Sequence, residues 1–169
     1  FASANVGNAI AVSANLSSLS LSNANYYVAG VTSPLTANIT PAPVTISGLA
    51  ASNKVYDTTT TATLVGTKTV FGLLSADTST VSGNTTASFA SANAGSAIGV
   101  TVNVSGLSLS NANYYVAGVT SPLSANITPA PVTISGLAAS NKVYDTTTAA
   151  TLVGTPVIAG GLMGSDTAT

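Results

Sequence analysis

Apolar and polar residues alternate one by one through the clearest signal in this chain. Ile98, Val100, Val102 and Val104 are separated by Gly99, Thr101, Asn103 and Ser105, and Leu107 and Leu109 carry the apolar face past Gly106. A period of two puts successive side chains on opposite faces, so this run predicts a half-buried strand bent at the glycine. Tyr114-Tyr115-Val116, Val132-Thr133-Ile134, Lys142-Val143-Tyr144 and Thr151-Leu152-Val153 are shorter runs of β-formers, each bounded by Gly, Pro, Asn, Asp or Ser. Helix is disfavoured, because Glu, Gln and Arg are missing while β-branched residues, Ser, Thr and Asn dominate.

The pattern repeats. Leu19 to Thr67 recurs as Leu107 to Thr155, 88 residues on, with two changes: Thr36 becomes Ser124 and Thr61 becomes Ala149. Self-similarity at a fixed period marks an array of modules, and each module reads as roughly seven short strands. The expected fold is therefore all-β: tandem antiparallel β-sandwich modules of immunoglobulin-like kind, with β-grasp-like modules as the alternative. Ile39-Thr40-Pro41-Ala42-Pro43 and its copy Ile127 to Pro131 are stiff junctions, since paired prolines fix φ and remove backbone donors. Taking them as seams gives residues 1–42 as the C-terminal half of a unit, 43–130 as one complete unit and 131–169 as the N-terminal half of the next. The expected core of the complete unit is Val44, Ile46, Val55, Tyr56, Leu64, Val70, Phe89, Ile98, Val100, Val102, Leu107, Tyr115 and Ile127. The copies differ most after Thr67, where the slack suits an exposed loop, with a turn at Gly160-Gly161, while Val70-Phe71 in the first copy could equally form a strand.

Composition narrows the function. Charged residues are 4% of the chain and the net charge is -1, so no basic stripe exists for nucleic acid. At 46% hydrophobic and nearly neutral, the chain should fold rather than stay disordered. Ser, Thr, Asn or Gly interrupts every apolar run well short of a membrane-spanning helix. The few aromatics give poor girdles for a transmembrane barrel, and seven prolines and 15 glycines break up zipper segments. Phe1 to Asn5 shows no basic region followed by an apolar stretch, and the segment reads as an excerpt of something longer. With no His, Cys or Glu, the usual catalytic bases are missing and no enzymatic activity, cofactor or metal site is expected. Four scattered aspartates do not form a calcium loop.

Two motifs hold the remaining candidates. Lys54-Val55-Tyr56-Asp57 followed by Thr58, and its copy Lys142 to Thr146, contain most of the charge. Lys54 and Asp57, and Lys142 and Asp145, are candidates for a covalent cross-link in which a Lys amine joins an Asn or Asp carbonyl while a nearby aspartate, glutamate being absent, relays the proton. Alternatively, each aspartate sets a turn by accepting from the backbone two residues on. Asn-Ala-Asn-Tyr-Tyr occurs twice and supplies Tyr26, Tyr27, Tyr114 and Tyr115 as candidate surface aromatics for glycan. Adjacent strand residues face opposite ways, so one tyrosine of each pair is expected inside.

Lys-Val-Tyr-Asp with Thr-Thr, then Phe89 to Gly95, Val104 to Leu109, Asn113 to Val116 and Ile127 to Ala130, resembles the YDG-type and related MBG-type repeats. Those repeats occur in tandem in large secreted adhesins of the filamentous-haemagglutinin kind. The resemblance implies a non-enzymatic β-rich spacer in an extracellular or cell-surface fibre. It also brings out a departure: the residue after Tyr-Asp is usually Gly in that family and is Thr58 and Thr146 here. Glycine permits φ above zero, so the resemblance implies a turn of different geometry in this chain.

A surface with three lysines cannot blunt many sheet edges. Pro131 to Thr169 and Phe1 to Ala42 together supply most of one unit. Neighbouring copies of the chain are thus expected partners, either joined in a continuous array or completing a module by strand exchange.

Overall fold

The computed structural model describes residues 1–168, which form fourteen strands and no helix. In chain order these are β1 (Gly7–Val12), β2 (Leu35–Ile39), β3 (Ala42–Ala51), β4 (Lys54–Val55), β5 (Thr61–Ala62), β6 (Leu64–Phe71), β7 (Val81–Gly83) and β8 (Thr86–Phe89). There follow β9 (Gly95–Asn103), β10 (Leu107–Leu109), β11 (Tyr114–Val119), β12 (Leu123–Thr128), β13 (Thr133–Ala139) and β14 (Leu152–Gly160). The alternating run is not one strand bent at Gly106, as expected: β9 ends at Asn103, the Leu107 amide closes a turn onto the Val104 carbonyl at 3.0 Å, and Leu107–Leu109 form β10, which pairs with β7 in a separate sheet. Strand β6 takes in Val70 and Phe71, where the copies diverge.

The chain divides into two compact units, one of Phe1–Gly48, Thr67–Thr85 and Asn103–Thr120, the other of Leu49–Gly66, Thr86–Val102 and Ser121–Thr169. The first holds the pairs β1–β2 and β10–β7 and the sheet β11-β3-β6. Its buried residues are Val44, Ile46 and Tyr114. The second holds the five-stranded sheet β4-β12-β9-β8-β5 and the hairpin β13–β14. Its core is Ala62, Ala87, Phe89, Val100, Ala125 and Ile127, flanked by half-buried Tyr56, Leu64, Ile98, Val102 and Leu123. Pairing is mixed: β11 runs parallel to β3 and β12 parallel to β4, whereas β1–β2, β12–β9 and β13–β14 are antiparallel.

Two expected core residues lie outside. Val55 and Tyr115 are each 51% exposed. In the short strand β4 the inward positions go to the stem of Lys54 and to Tyr56, which leaves Val55 facing out. In β11 the inward tyrosine is Tyr114, 6% exposed, so it is not a surface aromatic.

Pairing recurs at the period of the sequence. Gly7, Ile10, Ala11 and Val12 face Ile39, Ala37, Thr36 and Leu35, and Gly95, Ile98, Gly99 and Val100 face Ile127, Ala125, Ser124 and Leu123. Both ladders break at the same place, with Ala9 at φ 51° and Ala97 at φ 50°. The bulged amide of each is satisfied by an asparagine side chain: Ala9 N donates to Asn38 Oδ1 at 2.9 Å and Ala97 N to Asn126 Oδ1 at 2.8 Å. A bulge leaves one residue without a ladder partner, and the asparagine supplies it.

Candidate functional site

The Lys-Val-Tyr-Asp turn folds around one carboxylate oxygen. Asp57 Oδ1 accepts from Lys54 Nζ at 2.6 Å, from Thr59 N at 2.9 Å and from Thr59 Oγ1 at 2.9 Å. Lys54 Nζ donates also to Thr59 O at 2.7 Å and to Thr59 Oγ1 at 3.0 Å, so all three of its protons are engaged. It lies 5.6 Å from the centre of the Phe89 ring, within cation–π range. The second copy is built alike: Lys142 Nζ donates to Asp145 Oδ1 at 2.8 Å and to Thr147 O at 2.8 Å, and Thr147 N donates to Asp145 Oδ1 at 3.0 Å.

The Lys54 ammonium, with the Thr59 donors, lowers the Asp57 pKa to about 2. Lys142 and Thr147 lower that of Asp145 in the same way. What the structure shows at both motifs is a turn closed by charge-assisted hydrogen bonds to one aspartate oxygen.

The turn keeps the geometry that glycine would favour. Thr58 has φ 66° and Thr146 φ 62°, both in the left-handed region that β-branched residues rarely enter. The expectation of a different turn is corrected: the aspartate clamp, closing on Thr59, holds threonine at the positive φ that glycine would permit.

Two tyrosine–aspartate pairs escaped the sequence reading. Tyr114 OH donates to Asp77 Oδ2 at 2.7 Å and accepts from Leu74 N at 3.1 Å, which locks the Leu74–Asp77 turn. The Asp77 carboxylate raises the Tyr114 pKa. Tyr56 OH donates to Asp166 Oδ2 at 2.7 Å, with the same effect on its pKa. The available signal was the Asp-Thr that ends both variable stretches, Asp77-Thr78 and Asp166-Thr167, each closing a turn onto a carbonyl three residues back.

Tyr26 and Tyr27 are 69% and 85% exposed. In the second unit a cleft of about 260 Å³ lies among Tyr56, Pro129, Val132, Met163 and Asp166. Among the described residues no three aspartates gather where they could hold a metal ion, and no helix is long and apolar enough to cross a membrane.

An all-β chain whose ladders and turns recur at a fixed spacing is a β-repeat protein. Residues 40–121 and 128–169 match the YDG domain, and the chain belongs to that family. No curated protein and no solved structure matches it.

Proposed function

We propose that this chain is a non-enzymatic structural repeat of a bacterial extracellular fibre or adhesin stalk, of the filamentous-haemagglutinin kind. In this reading each 88-residue unit is an immunoglobulin-like module, the prolines at 41–43 and 129–131 stiffen the seams, and the product is length. The observation that carries it is the recurrence of one ladder: β1–β2 and β9–β12 share register, bulge and asparagine cap at a constant offset. A device repeated with its irregularities supports a module used many times over. The test is electron microscopy of the purified protein at the cell surface and in solution. Stiff rods with a constant axial repeat are expected, and flexible beads without one would sink the reading.

A second reading, an adhesive module for glycan or a host surface, draws on Tyr27 and Tyr144, which are 85% and 87% exposed. Tyrosines standing in solvent supply stacking faces for sugars. Glycan-array binding that is lost in Tyr27→Ala and Tyr144→Ala would favour it, and silence across the array would leave the stalk.

A further inference from the structure

In the first unit β11 lies parallel to β3, with Tyr114 opposite Ala42, Val116 opposite Val44 and Val119 opposite Ile46. Tyr114, Val44 and Ile46 are 6%, 2% and 1% exposed. Each strand has a copy elsewhere that lacks this pairing. Tyr26 to Val31 carries the β11 sequence unchanged, forms no strand, and leaves Tyr26 69% and Val31 52% exposed. The β3 sequence returns as Ala130 to Ala139, of which Thr133–Ala139 form β13, paired with β14, and the stretch just before it is not in a strand; Val132 is 46% and Ile134 61% exposed. Residues sealed at one site stand bare in their copies.

We propose that a second copy of this chain covers β13. Its Tyr26 to Val31 segment adds as a parallel strand to the free edge of the β13–β14 hairpin, with Tyr26 opposite Ala130, Val28 opposite Val132 and Val31 opposite Ile134. The register is that of β11 on β3, transferred to residues of the same type. A second seam follows from the β12–β4 pair, where Ile127 faces Lys54 and Thr128 faces Val55. The free edge of the second copy's β2 presents Ile39 and Thr40 to Lys142 and Val143, and Val143 is 88% exposed without them. In the first unit Ala42 N donates to Asn113 O and Thr120 N to Ile46 O, and the corresponding groups at Ala130, Asn25, Thr32 and Ile134 are there to repeat those bonds. Asp166, which here accepts from Tyr56, takes Tyr26 of the second copy in the way that Asp77 takes Tyr114.

The donating segment and the receiving hairpin are different parts of one chain, so each copy both gives and receives. Such a heterologous contact propagates head to tail. The edges offer little to prevent it, since Lys142 is folded back onto Asp145 and Thr147. This inference rests on the structural-repeat reading and adds to it the strands and register through which segments join.

The chain contains no cysteine, which makes disulfide trapping clean. Parallel neighbours lie about 4.8 Å apart, inside the roughly 4.4–6.8 Å that a disulfide spans between Cα atoms. A Val28→Cys chain mixed with a Val132→Cys chain is expected to give a linked dimer on mild oxidation. A Leu19→Cys chain mixed with the same partner gives none. The double variant Val28→Cys/Val132→Cys should give a ladder of multimers. Absence of the dimer, or closure of the double variant within single chains, overturns the proposal. Sedimentation of the unsubstituted chain supplies an independent readout: association that rises with concentration is expected, and is lost in Ile134→Lys. A monomer at every concentration overturns it too. Rods without the ladder would defeat this inference alone, whereas a ladder whose assemblies are flexible would defeat the stalk reading and leave the pairing.

Discussion

Lys54 Nζ sits 2.6 Å from Asp57 Oδ1, and that oxygen also holds the backbone N–H of Thr59 at 2.9 Å. One carboxylate thereby fixes both the lysine and the left-handed residue between them. The Asp57 pKa in the folded chain, about 2, lies below its ordinary value of 3.8. Folding favours the charged form, so the contribution is complete above the ordinary value and is lost as pH falls through the folded one. Thermal stability is expected to be level from neutral pH to about 5 and to decline between about 4 and 2. Asp57→Asn should flatten that decline and lower stability at pH 7. Melting curves across this range check it, and an Asp57→Asn variant with the unaltered acid profile would refute it.

Thr58, at φ 66°, pays a strain that glycine would not. A β-branched side chain in the left-handed region costs about 1–2 kcal/mol, part of which the greater freedom of unfolded glycine cancels. Thr58→Gly is expected to stabilise by about 1 kcal/mol net, measured by urea unfolding. Lower stability would mean that the threonine hydroxyl or methyl group contributes more than the backbone loses.

At Gly48 the constraint is reversed. Its φ is +81°, and a Cβ there would run into the carbonyl oxygen of Thr67. Gly48→Ala combines a disfavoured φ with a clash against backbone that cannot swing aside. A loss of about 2–4 kcal/mol is expected from strain of that kind. Gly136, with φ +82° against Thr155 O, is the same site one repeat on. A Gly48→Ala chain as stable as the parent would show that the close approach relaxes.

Much of this was legible in the chain. The alternation through Val100 and Val102 located β9 and its buried face, because a long strand with one face covered leaves a period-two record. The turn at Asp57 was readable as an aspartate bonded two residues on. The inward alanines Ala62, Ala87 and Ala125 were not, since alanine occurs on surfaces and in cores alike and takes its place here from the core it shares with Phe89, Val100 and Ile127. Nor were the parallel pairs, β11 with β3 and β12 with β4. They join residues some seventy apart, and nothing local in the sequence records pairing between distant segments. The choice of Tyr114 over Tyr115 was hidden for the same reason, being fixed by Asp77 far along the chain.

Phe89 and Phe1 occupy equivalent places in the repeat, yet one is 3% exposed and the other 61%. Truncating a buried phenylalanine removes its transfer energy and leaves a cavity beside Ala62, Val100 and Ile127. Phe89→Ala should cost about 3–5 kcal/mol. Phe1→Ala in dilute protein should stay within about 0.5 kcal/mol of the parent. Denaturant titrations of the two variants, at a concentration where the chain is monomeric, make the comparison. Equal losses would mean that Phe1 is buried in solution.

Tyr114 and Tyr115 differ by one place and by everything around them. The Tyr114 hydroxyl joins β11 to the Leu74–Asp77 turn through one donated and one accepted bond, while Tyr115, 51% exposed, makes no side-chain hydrogen bond among the described residues. Tyr114→Phe keeps the ring in place and deletes the hydroxyl, leaving Asp77 and the Leu74 N–H without their partner. The variant is expected to unfold at lower temperature and to exchange the Leu74 amide proton faster, whereas Tyr115→Phe should change neither. Hydrogen exchange is the sharper measurement, because it reports on the turn itself. Unchanged protection at Leu74 would show that Asp77, through its own backbone bond to the Leu74 carbonyl at 3.1 Å, holds the turn without the tyrosine.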